Sequence, residues 1–152
     1  MTFEADITAY AKRTNQRIDS AVREIVMTVA TAVDERSPVG KKELWAINID
    51  RATRGLPAIP KGYIGGHFRM NNQYRFGSVP SESVDGVDPS GGVALARIEA
   101  GLEASPAAGV HYIANTLPYA AALEFGHSSQ APQGIYGLAA IDVASAINKV
   151  TA

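Results

Sequence analysis

Residues 3 to 36 constrain this chain more than any other stretch. Ile7, Tyr10, Ala11, Thr14, Ile18, Val22, Ile25, Val29 and Val33 recur at steps of three and four. That spacing predicts one helix with one apolar stripe. Lys12, Arg13, Arg17, Arg23 and Glu24 lie largely off the stripe. Thr2 is placed to cap the start, and Glu4 and Asp6 suit the positive end of the helix dipole. Ser37-Pro38 ends the helix, because a residue before proline disfavours the α region. At 1.5 Å per residue such a helix reaches about 50 Å, long for a domain of this size. Either it lies across a sheet, or one end projects to meet another subunit.

The remainder must supply what the stripe packs on. With 152 residues, 46% of them apolar, the chain is expected to form one globular domain over 1–152 with its own core. The formal charge of −1 argues against a strongly basic nucleic-acid binder. The absence of cysteine excludes disulfides, thiolate zinc sites and cysteine nucleophiles. The start reads "MTFEADITAYAKR", which does not resemble a secretory signal. No apolar run is long enough to span a membrane.

Residues 39–66 read as an irregular loop or arm, rich in proline and glycine, with the sole tryptophan, Trp45, inside it. Trp45 is either a local anchor or part of a partner surface. "HFRMNNQYRF" reads as a strand. It places Phe68, Met70, Asn72, Tyr74 and Phe76 on one face, and His67, Arg69, Asn71, Gln73 and Arg75 on the other. A turn-rich loop follows, then a short helix with Leu95, Ile98 and Leu102 inward. Val110, Tyr112 and Ala114 alternate with His111, Ile113 and Asn115, as in a strand partly covered on both faces. Pro118 suits the first turn of a helix whose inward residues are Tyr119, Ala122 and Leu123. Gly126 is placed to end that helix in the left-handed conformation. Pro132 opens a last helix, with Tyr136, Ala140, Val143, Ile147 and Val150 in one stripe, widened by Ile135, Leu138 and Ile141. So few charges interrupt it that it is expected to be covered on more than one side, by the rest of the chain or by another subunit.

Chemistry finds little footing. His127 and Ser128 are sequence neighbours, which does not set imidazole against hydroxyl, and there is no G-x-S-x-G elbow. Glu124 and His127 have a spacing that two ligands on a helix could use, but Gly126 falls between them. "GYIGG" and "GKK" lack the rest of a phosphate loop. No catalytic, cofactor or metal residues are assigned. Arg69 and Arg75, with Lys41, Lys42, Arg51 and Arg54, could meet phosphate or the acidic rim of a partner protein.

The order of motifs resembles a known family. "SPVGKKELW", then "PKGYIGGHFRMNNQYRFGSVP", then "YIANTLPYAAALEFGHSSQAPQGIYGLA" is similar to the tail-component family of long-tailed bacteriophages, the neck and tail-completion proteins. The specific part is an N-x-x-P-Y-A-x-x-L-E-x-G-x-S-x-Q-A-P block, matched from Asn115 to Pro132. Where family members often continue Ser-Pro-Val with Asp-Thr-Gly, this chain has Gly40-Lys41-Lys42. Where they often have tryptophan after the strand's asparagine, it has Asn72-Gln73.

The resemblance implies an α+β fold: a long N-terminal helix packed with a small, mainly antiparallel sheet, short helices and a C-terminal helix. It implies a structural role in the virion, with no enzymatic activity and no cofactor. The expected assembly is a sixfold ring at the neck or upper tail, put together in the host cytoplasm. It joins neighbouring neck and tail proteins around the DNA path, with transient contact to passing DNA. A tail terminator capping the tube is the alternative within this class. A small phage-encoded hydrolase using His127 and a serine is the alternative outside it. The candidate interface residues are Trp45, Arg51, Arg54, Leu56, Ile59, Arg69, Arg75, Glu124, His127 and Gln130.

Overall fold

The computed structural model describes residues 2–151, and side chains as far as residue 148. The architecture is α+β. Its elements are α1 (Phe3–Arg36), a short 3-10 turn (Lys42–Leu44), α2 (Ala46–Thr53), α3 (His67–Met70), β1 (Gln73–Phe76), α4 (Gly92–Glu103), β2 (His111–Ala114), α5 (Ala120–Glu124) and α6 (Tyr136–Thr151). No helix among the described residues is long and apolar enough to cross a membrane.

Helix α1 has the predicted limits. The Thr2 hydroxyl accepts from the Ala5 N–H, and Ser37 leaves the helix in an extended conformation. Its two halves live in different surroundings. The C-terminal half packs against α4 and α6 and buries Val26, Ala30 and Val33. Arg23, read as lying off the stripe, instead reaches the end of α4 and donates to the carbonyls of Leu102 and Ser105. These satisfy acceptors that a helix end leaves open. From Phe3 to Ser20, by contrast, no other described element covers the helix: Phe3 is 80% exposed, Tyr10 67%, Ile18 55% and Ile7 51%. Geometrically, then, one end of α1 projects.

β1 and β2 form a two-stranded antiparallel sheet, with Gln73 opposite Ala114 and Phe76 opposite His111. α4, which connects them, packs on β1 and turns Ala94, Ile98 and Leu102 inward, while Leu95 is only half-buried. The Asp88 carboxylate fixes its start by accepting the N–H groups of Gly91 and Ala94. The core joins Val33 of α1, Phe68, Leu117, Ala131, Ile135 and Ala139.

The predicted ten-residue strand at 67–76 is corrected. Only its last four residues are extended. Gly66, at φ 112°, turns the chain so that the Met70 N–H reaches the Gly66 carbonyl, which makes His67–Met70 a helical turn. Asn71 and Asn72 are both buried, so the alternation fails there. Asn71 donates to the carbonyls of His67 and Val84 and accepts the Val84 N–H, tying the following loop to the body.

Asn72 ties the larger elements together. Its amide donates to the Ser37 hydroxyl at the end of α1 (2.9 Å). Its oxygen accepts from the Tyr136 hydroxyl of α6 (2.9 Å) and from the Asn115 amide after β2 (3.1 Å). Burial, then the nearby Glu124 charge, raise the Tyr136 pKa above its ordinary value, so the hydroxyl stays a donor. Asp34 is the exception to this pairing. It is 4% exposed, packs on Gly91, and its Oδ1 has no partner among the described residues. Burial raises its pKa, and the Arg69 charge opposes that only in part.

Three smaller readings also change. α6 begins at Tyr136, four residues after Pro132. With Ile135 just ahead of it, α6 buries Ala139 and Val143 on one side and leaves Ala140 and Ile141 exposed, so among the described residues the subunit covers one face. Val150 of its predicted stripe lies outside the described side chains. Pro118 falls just ahead of α5, and Tyr119 is 42% exposed, not core; Leu123 is half-buried.

If Asn72 is the tie that this geometry makes it, Asn72→Leu should cost roughly 2–4 kcal/mol, because the buried Tyr136 hydroxyl loses its acceptor. Tyr136→Phe should cost only about 1 kcal/mol. Urea unfolding of both variants checks the order, and equal losses would refute it.

Candidate functional site

The predicted loop at 39–66 is an arm with structure of its own. Its fastener is Asn48, which is 2% exposed. The Asn48 amide donates to the carbonyls of Lys42 and Ile59, both at 2.7 Å, and its oxygen accepts the Ile59 N–H at 2.9 Å. One side chain thereby clamps both legs of the arm. Lys42 adds a bond to the Pro60 carbonyl. The legs cross where Gly40 and Gly65 meet: a Cβ on Gly65 would stand 2.0 Å from the Gly40 carbonyl oxygen. Trp45 packs edge-on against Tyr63, centroids 4.8 Å apart, so it anchors the arm, yet it remains 38% exposed. Leu44, Ile47, Ile49 and Leu56 stay exposed on the arm as well.

The arm returns beside the corner that follows α5. Gly126 takes φ 85°, as its place after the helix predicts, and a Cβ there would meet the Pro132 carbonyl oxygen at 2.5 Å. The Gln130 side chain spans to the base of the arm, accepting the Val39 N–H and donating to the Val39 carbonyl. Between arm and corner lies a groove of about 450 Å³. Trp45, Tyr63 and Tyr119 give it aromatic walls, Lys41 gives it a positive charge, and His67 and His127 add imidazole rings. No carboxylate lines it.

The candidate interface residues divide on this geometry. Trp45 and His127 line the groove and are accessible, and Leu56 and Ile59 are exposed on the arm. Arg75 is exposed on β1. The others are engaged within the subunit. Arg69 donates to the carbonyls of Ser37 and Pro89. Arg51 donates to the Pro57 carbonyl, and Arg54 pairs with Asp50 one helical turn away. Gln130 holds Val39. Of the six cations that could meet phosphate, only Lys41 and Arg75 have no side-chain bond or ion pair in the described structure that commits them elsewhere.

Glu124 is a helix cap. Its carboxylate accepts the N–H groups of Ile135, Tyr136 and Gly137 at 2.8–2.9 Å, three of the donors that the start of α6 leaves open. This fixes the start of α6 at Tyr136 and not at Pro132. Burial alone raises the carboxyl pKa, but the three backbone bonds together outweigh it and hold the value below the ordinary 4.5. The Ser128 hydroxyl accepts the Gln130 N–H in its own turn. His67 donates from Nδ1 to the Gly86 carbonyl. His111 donates from Nε2 to the Ala107 carbonyl, which leaves its Nδ1 to accept from the Tyr74 hydroxyl. Glu124, Ser128, His67 and His111 thus build turns and packing. Among the described residues no three histidines or acids cluster as metal ligands would.

Sequence reasoning passed over Asn48, Arg23 and Asp88, whose side chains hold backbone groups, and Asn72, which holds side chains of three distant segments. The one available signal was polar residues standing at positions where apolar periodicity expected a core side chain, as Asn72 does.

No family model matches the chain, and no curated protein or solved structure matches it.

Two outcomes follow from the corner. Gly126→Val should lower stability by at least about 1–2 kcal/mol, read as a drop in melting midpoint, since a β-branched residue is forced to positive φ. For Glu124 the sign is set by its lowered pKa: the carboxylate stabilises the fold above the unfolded value and loses that effect as pH falls through the folded one. Wild type should therefore exceed Glu124→Gln in stability near neutral pH, and the gap should close in acid below 4.5. A gap unchanged with pH would contradict the cap.

Proposed function

We propose that this chain is a structural subunit of the virion of a long-tailed bacteriophage. It assembles as a ring, sixfold in our reading, at the neck or upper tail, and helps complete the tail and join it to the head around the DNA path. The work is mechanical and non-enzymatic. Its partners are further copies of itself and the neighbouring neck and tail proteins.

The observation that carries this reading is the free half of α1. Ile7, Tyr10 and Ile18 continue the stripe that α6 covers further along, yet they stay more than half exposed, with no cover among the described residues. An apolar helical face left in water is a mark of an interaction surface. The arm supports the same reading through Ile47 and Ile49, which are more than half exposed. The motif block from Asn115 to Pro132 supplies the family likeness. The parts of a hydrolytic site do not favour the other class, because Glu124 and Ser128 are committed to capping and turn bonds. Contact with DNA in the axial path rests on Arg75 and Lys41 and is non-specific.

Replacing both Ile7 and Ile18 with glutamate should leave the melting midpoint nearly unchanged, since neither side chain is in the core. In an infection complemented only by this variant, electron microscopy should show unjoined heads or abnormal tails. Normal infectious particles, or wild-type virions from which the chain is missing, would overturn the proposal.

A further inference from the structure

The projecting helix and the groove occupy opposite ends of one molecule. Pro38 and Gly40 line the groove and follow directly on the end of α1. The free tip, Phe3 to Ile7, lies at the far end of the same helix, about 50 Å away at 1.5 Å per residue. The two ends are complementary in kind. The tip presents exposed Phe3 and Ile7 with two acids, Glu4 and Asp6. The groove presents Trp45, Tyr63 and Tyr119 with Lys41, His67 and His127, and no carboxylate. Its volume of about 450 Å³ admits one aromatic and one branched aliphatic side chain, not a whole helix.

We propose that the first turn of α1 from one subunit seats in the groove of a second copy, with Phe3 against Trp45 and Tyr63 and the acids of the tip facing Lys41. This inference rests on the ring reading above and names the surfaces that meet. Because tip and groove are different patches, the contact is head-to-tail, and a head-to-tail contact closes a ring when its rotation allows. A half-turn would close it as a reciprocal pair, and a smaller rotation as a larger ring. Projection of the tip by about 27 Å beyond Ser20 supplies the reach.

Trp45 is the only tryptophan, so its fluorescence reports on the groove directly. The full chain is examined over a concentration series up to about 0.5 mM, with mass followed by sedimentation. That ceiling lies near the weak end of specific association. Mass should rise together with a blue shift of Trp45 emission. Phe3→Ala and Lys41→Glu should each weaken association about tenfold or more, with melting midpoints unchanged, as both side chains are exposed. An equal mixture of these two variants should then form a dimer that grows no further. The Lys41→Glu subunit still offers an intact tip, and the Phe3→Ala subunit an intact groove. Association of wild type without any change at Trp45, or variants that assemble normally, or a mixture as inert as its parts, would overturn the tip-in-groove contact and leave the ring reading standing. A chain that remains a monomer throughout, both alone and when recovered with its particle, would overturn both.

Discussion

A single buried amide holds the layers of this fold in register. Asn72 touches the end of α1, the exit from β2 and the first turn of α6, and it is 1% exposed. An apolar residue of similar size would fill the space but leave the Tyr136 hydroxyl without a partner inside the protein. Apolar packing alone would tolerate several rotations of α6 against α1, since Ile135, Ala139 and Val143 are not selective about their neighbours. The hydrogen bonds to Asn72 select one of them. Arg23 of α1 and Arg97 of α4 work to similar effect. Arg23 closes the end of α4, and Arg97 donates to the carbonyls of Met70 and Asn72, bracing the turn that presents the amide.

What could be read from the sequence was local. The limits of α1, its Thr2 cap, the half-covered strand at β2 and the positive φ of Gly126 all depend on residues within a few positions of one another. The stretch at 67–76 was misread because its side chains do alternate, and alternation is the ordinary sign of a strand. What overrides it is Gly66 in a left-handed conformation, packed where a Cβ would meet the Asp88 backbone. That contact is set by a residue more than twenty positions away. The helix inside the arm is hidden from the sequence for a related reason. Its prolines and glycines mark the legs, whereas α2 between them is a short ordinary helix stabilised by Asn48 reaching Ile59.

The same limit governs the candidate site. Arg69, Glu124 and Gln130 are polar residues near turns, and such residues stand out as surface ligands when only the sequence is in view. Turns and helix ends are also where backbone donors and acceptors lack partners. In the structure those needs win: each of the three side chains is spent on carbonyls or N–H groups of a distant segment. Trp45 and His127 remain on the accessible wall of the groove, and neither spacing nor charge had linked them, because the groove exists only once the arm folds back on the corner.

The uneven burial along α1 has a thermodynamic side. Helices in water are marginal when nothing packs against them, because few residues repay the cost of nucleation. Here nucleation is supplied by the buried half, from Val26 to Val33, and the outer turns extend from it by their own backbone bonds and the Thr2 cap. One continuous helix therefore carries a gradient of local stability. Its amides near Val33 open only when the whole domain does, while those near Ile7 open at small cost and independently. Fraying from the outer end leaves the body intact.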